Sequence, residues 1–507
     1  MGIVARQSIK GTVATYIGVA VGIVTTFFIQ TKALQPEQIG LIDVLLQCAV
    51  LFSGLAQLGT NSSAMRYYPF FKDEEHRDHG FFGWTLLVPL VGFTFFLLAF
   101  FLFKAPIVHF FSKDSNLFGD YVNFVIPIAF FMLYISVFET NSNLLMRIVL
   151  PKFIREVGLR VAALAIYLLY YYKVLGFDGV VVAFCVSYGL ATLINIVYLL
   201  TLKRVSFKIE RAYITPKIRR DFLFYTLFMI TAALAGNVIP MLPKFFVAGK
   251  TGFHLAGVFA IATNMAALIE MPYRSLGAIS RPHISDAMAK HDVALADSLC
   301  KNVALHQLIA GSFVFFLIWS NIDVLFDLLP NGDIYRVGKI TVLVLALGRL
   351  IYSTFVVMTT ALSYSKFYYF SLLFTIMLVT MSLLLNNWWV PLWDINGGAL
   401  AHTISYLVYT VFLLVFIKWK IGVLPMSKPM VPVVLVILGL FGLNWLWTTW
   451  LTPWFAGLFG KALYGLLIDA ALKSVLFVVL GLGAIYKLKV SQSVNDLLDK
   501  LFNCVKK

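Results

Sequence analysis

Long apolar runs, separated by short connections bearing lysine and arginine, make up nearly the whole chain. A helix needs about 20 predominantly apolar residues to cross bilayer hydrocarbon, and the hydropathy pattern predicts about fourteen such spans. Six fall over Gly11–Ile29, Gly40–Ser62, Phe81–Phe103, Tyr121–Leu145, Phe153–Tyr172 and Gly179–Leu200. Six more fall over Phe222–Val247, Phe253–Tyr273, Leu305–Leu329, Ile340–Leu362, Tyr368–Leu385 and Ala399–Ile417. Two further spans, Met430–Leu451 and Ala462–Ile485, form a terminal hairpin. The fold expected is an all-α polytopic membrane protein.

The first two sets of six are related. FDGVVVAFCVSY at Phe177–Tyr188 returns as INGGALAHTISY at Ile395–Tyr406, pairing Asp178/Asn396, Gly179/Gly397, Ala183/Ala401, Ser187/Ser405 and Tyr188/Tyr406 at an offset of 218 residues. FFIQTK at Phe27–Lys32 meets FFVAGK at Phe245–Lys250 at the same offset, and one residue less aligns Gly40-Leu41 with Gly257-Val258. Internal repeats fix architecture, and paired halves are a common construction of transporters. The chain is therefore divided into a six-helix bundle over 1–204, a cytoplasmic linker over 205–221, a second six-helix bundle over 222–420, and an added hairpin with a tail over 421–507.

Composition agrees. Of 507 residues 60% are hydrophobic and 13% charged, with mean hydropathy +0.88, against about 25% charged in soluble domains. Such a chain cannot cover a water-facing surface. The cations also orient it. With the N-terminus cytoplasmic, 28 of the 40 lysines and arginines lie in cytoplasmic segments and 9 on the opposite side, leaving Arg160, Arg349 and Lys473 inside spans. Both termini are then cytoplasmic. The first run follows Arg6 and Lys10 as a signal peptide would, but its length and lack of a cleavage site read as an uncleaved span.

Several classes drop out. The net charge of +16 is dispersed among short loops rather than gathered in a basic domain, so no nucleic-acid partner is expected. No Walker A sequence is present for ATP hydrolysis. The four cysteines show no disulfide pattern. No loop is long enough to carry a catalytic domain, so neither enzymatic activity nor a cofactor is expected. His76-x-x-His79 beside Asp73-Glu74-Glu75 lacks a structural zinc spacing and reads as a solvated charged loop, with no metal.

Ionisable groups within a span cost at least about 2.5–3.5 kcal/mol each on insertion scales, so they face a cavity or a partner. Span two carries Asp43, Gln47, Gly54, Gln57 and Asn61, followed by Arg66. Their helical period makes one polar stripe, which lines water or packs on a polar neighbour. Span seven holds Asn237 and Lys244 around Pro240 and Pro243, where the helix should bend. Span eight carries Asn264, Glu270, Arg274 and then Arg281. These arginines either face a cavity or snorkel to the interface. Span four ends with Glu139, Asn143 and Arg147 on one face, and Glu156 and Arg160 follow at i,i+4, making a Glu139–Arg160 pair plausible by depth. Arg349, near the middle of span ten, is expected to face inward, paired with an acid or awaiting an anion. Asp469 and Lys473 are expected to pair with each other. Substrate-binding candidates are Arg66, Arg147, Arg160, Asn237, Lys244, Asn264, Arg274, Arg281 and Arg349; coupling or ion-pair candidates are Asp43, Glu139 and Glu270.

Cations near the cytoplasmic ends of several spans suit an anionic cargo. The chain resembles the multidrug/oligosaccharidyl-lipid/polysaccharide (MOP) exporter superfamily, in particular Wzx-like polysaccharide flippases. The resemblance rests on LQPEQIGLIDV at Leu34–Val44, GTNSSAMRYY at Gly59–Tyr68, the repeated DG/NG…A…SY segment, and MPYRSLGAISRPHISDAM at Met271–Met288. It implies two bundles in a V shape, alternating access, and an undecaprenyl-diphosphate-linked oligosaccharide carried to the outer leaflet of a bacterial inner membrane. Such a cargo serves O-antigen, capsule or exopolysaccharide synthesis. The implied partners are that lipid and the bilayer, with a polysaccharide polymerase or glycosyltransferases beside them. Lipid II flippases of the superfamily carry arginines within span one, which this chain lacks, so lipid II is a less expected cargo. A cation-coupled multidrug exporter is the alternative, and a membrane glycan polymerase or ligase the second.

Overall fold

The computed structural model describes residues 3–73, 76–112, 116–202, 220–221, 238–459, 463–496 and 499. Among these every regular element is helical. Hydrocarbon imposes this, because each backbone N–H and C=O must find its partner within its own segment. Among the described residues ten helices are long and apolar enough to cross a membrane, and the bent pair Lys339–Phe355 and Val357–Ser363 makes eleven. The protein is a polytopic membrane protein, as the hydropathy pattern predicts.

The helices depart from the predicted spans in instructive ways. Phe370–Lys420 takes in two predicted spans, interrupted at Trp393 and Asp394 (φ −133° and +47°) just after Pro391. The fifth predicted span is helical in three pieces, Val149–Phe153, a π-helical turn at Ile154–Gly158, and Leu159–Tyr171. Most of the linker over 205–221 and of the seventh predicted span lies outside the described residues. The second predicted span is broken. Its helix Pro36–Ala56, opened by a capping box between Gln35 and Gln38, stops before Leu58 and Gly59, which are left-handed (φ 49° and 72°), and a new helix Thr60–Tyr67 follows. The single polar stripe is therefore corrected. Gln57 and Asn61 donate to Ser136 Oγ at 3.0 and 2.9 Å, so this part of the stripe binds a neighbouring helix rather than water.

Contacts gather the chain into two compact units, Met1–Ala260 with Asn386–Gly398, and Ile261–Leu385 with Ala399–Lys507. Within the first, helix Pro36–Ala56 crosses the start of helix Phe253–Ala267 at two glycines. A Cβ on Gly40 would stand 2.3 Å from the Phe253 carbonyl oxygen, and one on Gly257 2.0 Å from that of Pro36. Only hydrogen permits this approach, the small-residue device of helix packing in membranes. These are the glycines that the internal repeat aligns, so repeat-related helices meet at repeat-related residues. Beside the crossing, Glu37 pairs with His254 at 2.7 Å, and Asp43 with Lys244 at 2.9 Å. Rings of Phe111, Phe118 and Phe253 pack alongside, with centroids 4.5–6.4 Å apart.

In the second unit, helix Val293–Ser320 is the axis of a large buried apolar cluster. The terminal hairpin, Met430–Leu446 and Leu463–Lys487, docks on it through Phe316, whose ring lies 5.2 Å from Phe441 and 5.6 Å from Phe477. Asp469 and Lys473 do not form the expected ion pair. Asp469 accepts from Trp447 Nε1 at 2.8 Å and Thr452 Oγ1 at 3.0 Å, while Lys473 donates to the Ser320 carbonyl at 2.6 Å. Each finds a separate tertiary partner, which a one-helix spacing argument cannot anticipate.

Replacing Gly257 with alanine must push the crossing helices apart, and such overpacking costs about 1–3 kcal/mol. Thermal unfolding in detergent should show a lowered midpoint for Gly257→Ala. Gly439→Ala should not lower it, since nothing lies within 4 Å of the added Cβ and alanine favours the helix. An unchanged midpoint for Gly257→Ala would show that the crossing yields freely.

Candidate functional site

A cavity of about 500 Å³ lies within the second unit, inside the range usual for ligand sites. Two irregular helical segments build it. The first descends from helix Phe253–Ala267, tightens into a 3₁₀ turn at Leu268–Glu270, and resumes as Met271–Ala289. Pro272 has no N–H to donate, so a carbonyl one turn back loses its intrahelical bond. The fully buried Gln307 braces this region, donating to the Ile269 carbonyl at 3.3 Å and to Ser353 Oγ at 2.9 Å. Glu270, Tyr273, Arg274 and Arg281 reach the cavity from this segment.

The opposite wall is the bent pair Lys339–Phe355 and Val357–Ser363, which turns by 40°. No proline lies at the bend. Instead Thr354, Thr359 and Ser363 each return a hydroxyl hydrogen bond of 2.7 Å to a carbonyl one turn back, at Leu350, Val356 and Thr359, and such back-bonding bends helices. Tyr352, Ser353, Thr359, Thr360 and Tyr364 thereby face the cavity. The wall is fixed against helix Phe370–Lys420 at Gly348, whose added Cβ would lie 2.5 Å from Thr403 Oγ1. Thr403 in turn donates to the Val344 carbonyl at 2.9 Å.

Arg349 follows Gly348 directly and binds Glu270, Nη1 to Oε1 at 2.7 Å, with the two side chains 13% and 25% exposed. The acid that the sequence places near Arg274 thus belongs to an arginine on another helix. Arg349 Nε is buried with no hydrogen-bond partner. Arg274 and Arg281 are exposed, and among the described residues neither pairs with a carboxylate. Arg281 sits over the Tyr273 ring, 5.9 Å from its centroid. With Glu270 engaged by Arg349, the cavity presents two uncompensated guanidinium groups amid hydroxyl donors. Guanidinium forks match phosphate and carboxylate oxygens, so the chemistry this arrangement offers is hydrogen bonding to an anion.

The remaining candidates lie elsewhere. Asp43 and Lys244 form their own pair in the first unit, and Gln47 also donates to Asp43 at 3.4 Å. Glu139 pairs with Arg155 at 2.7 Å, and Arg160 with Glu156 at 3.6 Å, so the expected Glu139–Arg160 pair is corrected. Arg155 intervenes from within the π turn at Ile154–Gly158, which shifts the register of side chains around the axis. Arg147 follows the end of helix Val125–Leu144, beyond left-handed Met146, and so leaves the face of Glu139 and Asn143. Arg66 is exposed near the end of helix Thr60–Tyr67. Asn264 is half-buried on helix Phe253–Ala267 and does not line the cavity. Asn237 lies outside the described residues. Sequence reasoning missed Tyr273, Tyr352 and the hydroxyl wall. Tyr352 stands three residues after Arg349, a spacing that puts both on one helical face and could have flagged it.

Comparisons with known proteins agree with this architecture. A family model described as polysaccharide biosynthesis protein matches residues 4–288. Among curated proteins no relative is found. Among solved structures, the lipid II flippase MurJ in an inward closed conformation superposes with TM-score 0.73 at 13% identity, covering 95% of this chain and 100% of that one. An inward-facing multidrug resistance MATE transporter of the MOP superfamily gives 0.60 at 15%, covering 81% and 94%. A MOP superfamily transporter from Pyrococcus furiosus gives 0.54 at 14%, covering 84% and 96%. At such identities the likeness is one of fold, and the fold is that of the MOP transporters.

The Glu270–Arg349 pair should behave as a partly buried unit. Removing one partner strands the other charge, at a cost of about 3 kcal/mol. Arg349→Met alone should lower the thermal midpoint clearly, and Arg349→Met with Glu270→Gln should recover much of the loss. If the double variant is as unstable as the sum of the singles, the two side chains are not coupled.

Proposed function

The chain belongs to the polysaccharide biosynthesis protein family, and we propose that it is a flippase for an undecaprenyl-diphosphate-linked oligosaccharide. It would carry this lipid from the cytoplasmic to the outer leaflet of a bacterial inner membrane by alternating access, with both its termini cytoplasmic. The observation that carries the reading is the cavity holding Arg274 and Arg281 without acidic partners beside a wall of tyrosine and threonine hydroxyls. A diphosphate-sugar headgroup cannot enter hydrocarbon without replacement of its water. Two guanidinium groups and several hydroxyls supply that replacement, while the polyprenyl tail stays in lipid.

The contacts that join the two sequence repeats support the transport part of the proposal. Gly40–Gly257, Glu37–His254 and Asp43–Lys244 all lie toward the same end of helix Pro36–Ala56. We assign them to a gate that closes one end between the six-helix halves over 1–204 and 222–420. A cation-coupled drug exporter shares the fold, but a cationic cavity suits a cationic drug poorly. A polymerase or ligase would need an acid or base at the reacting bond, and Glu270, the one carboxylate lining the cavity among the described residues, is engaged by Arg349.

In cells deleted for the gene, lipid-linked precursor should accumulate on the inner leaflet and surface polysaccharide should fall. Arg274→Ala should fail to restore either one fully, with transport reduced about tenfold, as expected for one lost hydrogen bond to a charged group, at unchanged protein abundance. Normal surface polysaccharide and no precursor accumulation in the deletion would refute the assignment. Altered glycan chain length with normal sidedness would point to a polymerase, and gradient-driven drug efflux to an exporter.

A further inference from the structure

The connection between helices Thr60–Tyr67 and Phe81–Phe111 brings together three ligating groups that the transport reading leaves unused. Asp73 Oδ2 lies 2.9 Å from His76 Nδ1 and 3.3 Å from His79 Nε2, and all three atoms fall within 4.8 Å of one another. The imidazoles stack, with centroids 5.2 Å apart and planes 11° from parallel. A tetrahedral ion with bonds of about 2.0–2.2 Å holds its ligand atoms about 3.3–3.6 Å apart. The two oxygen–nitrogen spacings, 2.9 and 3.3 Å, already approach that edge. From this geometry we propose that Asp73, His76 and His79 form a site for a divalent transition ion of the zinc class.

The site is held in place from outside its ligands. Asp78 accepts from the Asp73 backbone N–H at 3.0 Å through Oδ1 and from the Tyr68 hydroxyl at 3.2 Å through Oδ2. The Asp78 N–H donates back to the Asp73 carbonyl at 2.7 Å. Asp78, His79 and Gly80 then run in left-handed conformation (φ 54°, 49° and 72°), a geometry disfavoured for the two residues with side chains. This turn carries His79, whose side chain is 10% exposed, back toward Asp73, while His76 remains 59% exposed. One ligand is thus fixed in the protein and one stands at the water face, where an ion can enter.

The donor set selects the ion. Two imidazole nitrogens and one carboxylate suit zinc, cobalt or nickel better than calcium or magnesium, which take oxygen ligands. Without an ion, Asp73 Oδ2 is hydrogen-bonded to His76 Nδ1 at 2.9 Å and lies 3.3 Å from His79 Nε2. An ion would replace these direct contacts and leave at least one coordination position for water. Glu74 and Glu75 lie between the ligands in sequence and outside the described residues. No spacing in sequence announces this site, because Asp73, His76 and His79 follow three apart and only the reversed turn after Asp78 makes them converge.

The test uses the full-length protein in detergent, purified without a histidine tag and stripped with chelator. Titration with zinc against a chromophoric chelator should give one equivalent bound, and cobalt should give the visible d–d bands of a tetrahedral site. His79→Ala and Asp73→Asn should each weaken zinc binding by about 100-fold or more, beyond what second-shell changes produce. His291→Ala should leave it unchanged. His76→Ala alters an exposed ring and so keeps the test valid if His79→Ala folds poorly; it too should weaken binding by about that factor. Zinc should also raise the thermal midpoint of the wild type and not that of His76→Ala, since a ligand bound to the native state stabilises it. Absence of stoichiometric binding, or binding that survives His76→Ala undiminished, overturns the proposal.

Discussion

Hydrocarbon offers no partner to a charge, and that single constraint orders the polar architecture of this protein. An ion inside a span must be paired, hydrated in a cavity, or carried to the interface. Pairing and a cavity both occur here, and neutral hydrogen-bond partners serve as a further solution. Asp43 with Lys244, and Glu139 with Arg155, are settled by pairing. Asp469 and Lys473 are settled by neutral donors and a carbonyl that tie the terminal hairpin down. Arg274 and Arg281 line a cavity without a carboxylate partner among the described residues, Arg281 sitting over the Tyr273 ring. The difference between closed pairs and open cations is what sets the proposed site apart from the scaffold.

The cavity depends on helices that are bent at defined places. Pro272 interrupts one wall, and a run of Thr and Ser hydroxyls bonding back to carbonyls bends the other. Both devices free or reorient backbone polar groups, which membrane proteins tolerate where protein or water satisfies them. Gln307 provides that satisfaction for the Ile269 carbonyl, and the Gly348–Thr403 approach holds the second wall close to its neighbour. Arg349, the most deeply placed arginine predicted from the chain, then neutralises Glu270 rather than facing ligand with its full charge. This pairing engages Glu270, the carboxylate among the described residues that line the cavity, and leaves Arg274 and Arg281 without one. The cavity stays net cationic as a result.

The repeat has a physical meaning of its own. Gly40 and Gly257 are matched by sequence and touch in space, their backbones closer than any side chain would allow. Duplication of an ancestral half would place the same small residue on both partners of such a crossing, so one glycine serves each side. Of the neighbouring pairs, Glu37 and His254 stand at that same offset of 217 residues but differ in residue type, whereas Asp43 and Lys244 are not matched by the repeat. Close packing is inherited by repetition, whereas charge complementarity requires the two copies to diverge.

By itself, the amino-acid sequence determined that the chain is helical and crosses a membrane many times, because apolar run length and the need to satisfy the backbone leave no other fold. It also determined the repeat and singled out Glu270, Arg274, Arg281 and Arg349, since a charge in an apolar run is conspicuous whatever surrounds it. The choice of partner was decided only in three dimensions. The acid that Arg349 meets is Glu270, Glu139 pairs with Arg155 and not Arg160, and Asp469 does not pair with Lys473. Spacing along one helix specifies which side chains share a face, but not which other helix that face meets. The broken second span and the convergence of Asp73, His76 and His79 were hidden for a related reason. Both depend on left-handed residues at Leu58, Asp78 and His79, which tertiary contacts hold against local preference and which no hydrophobic pattern records.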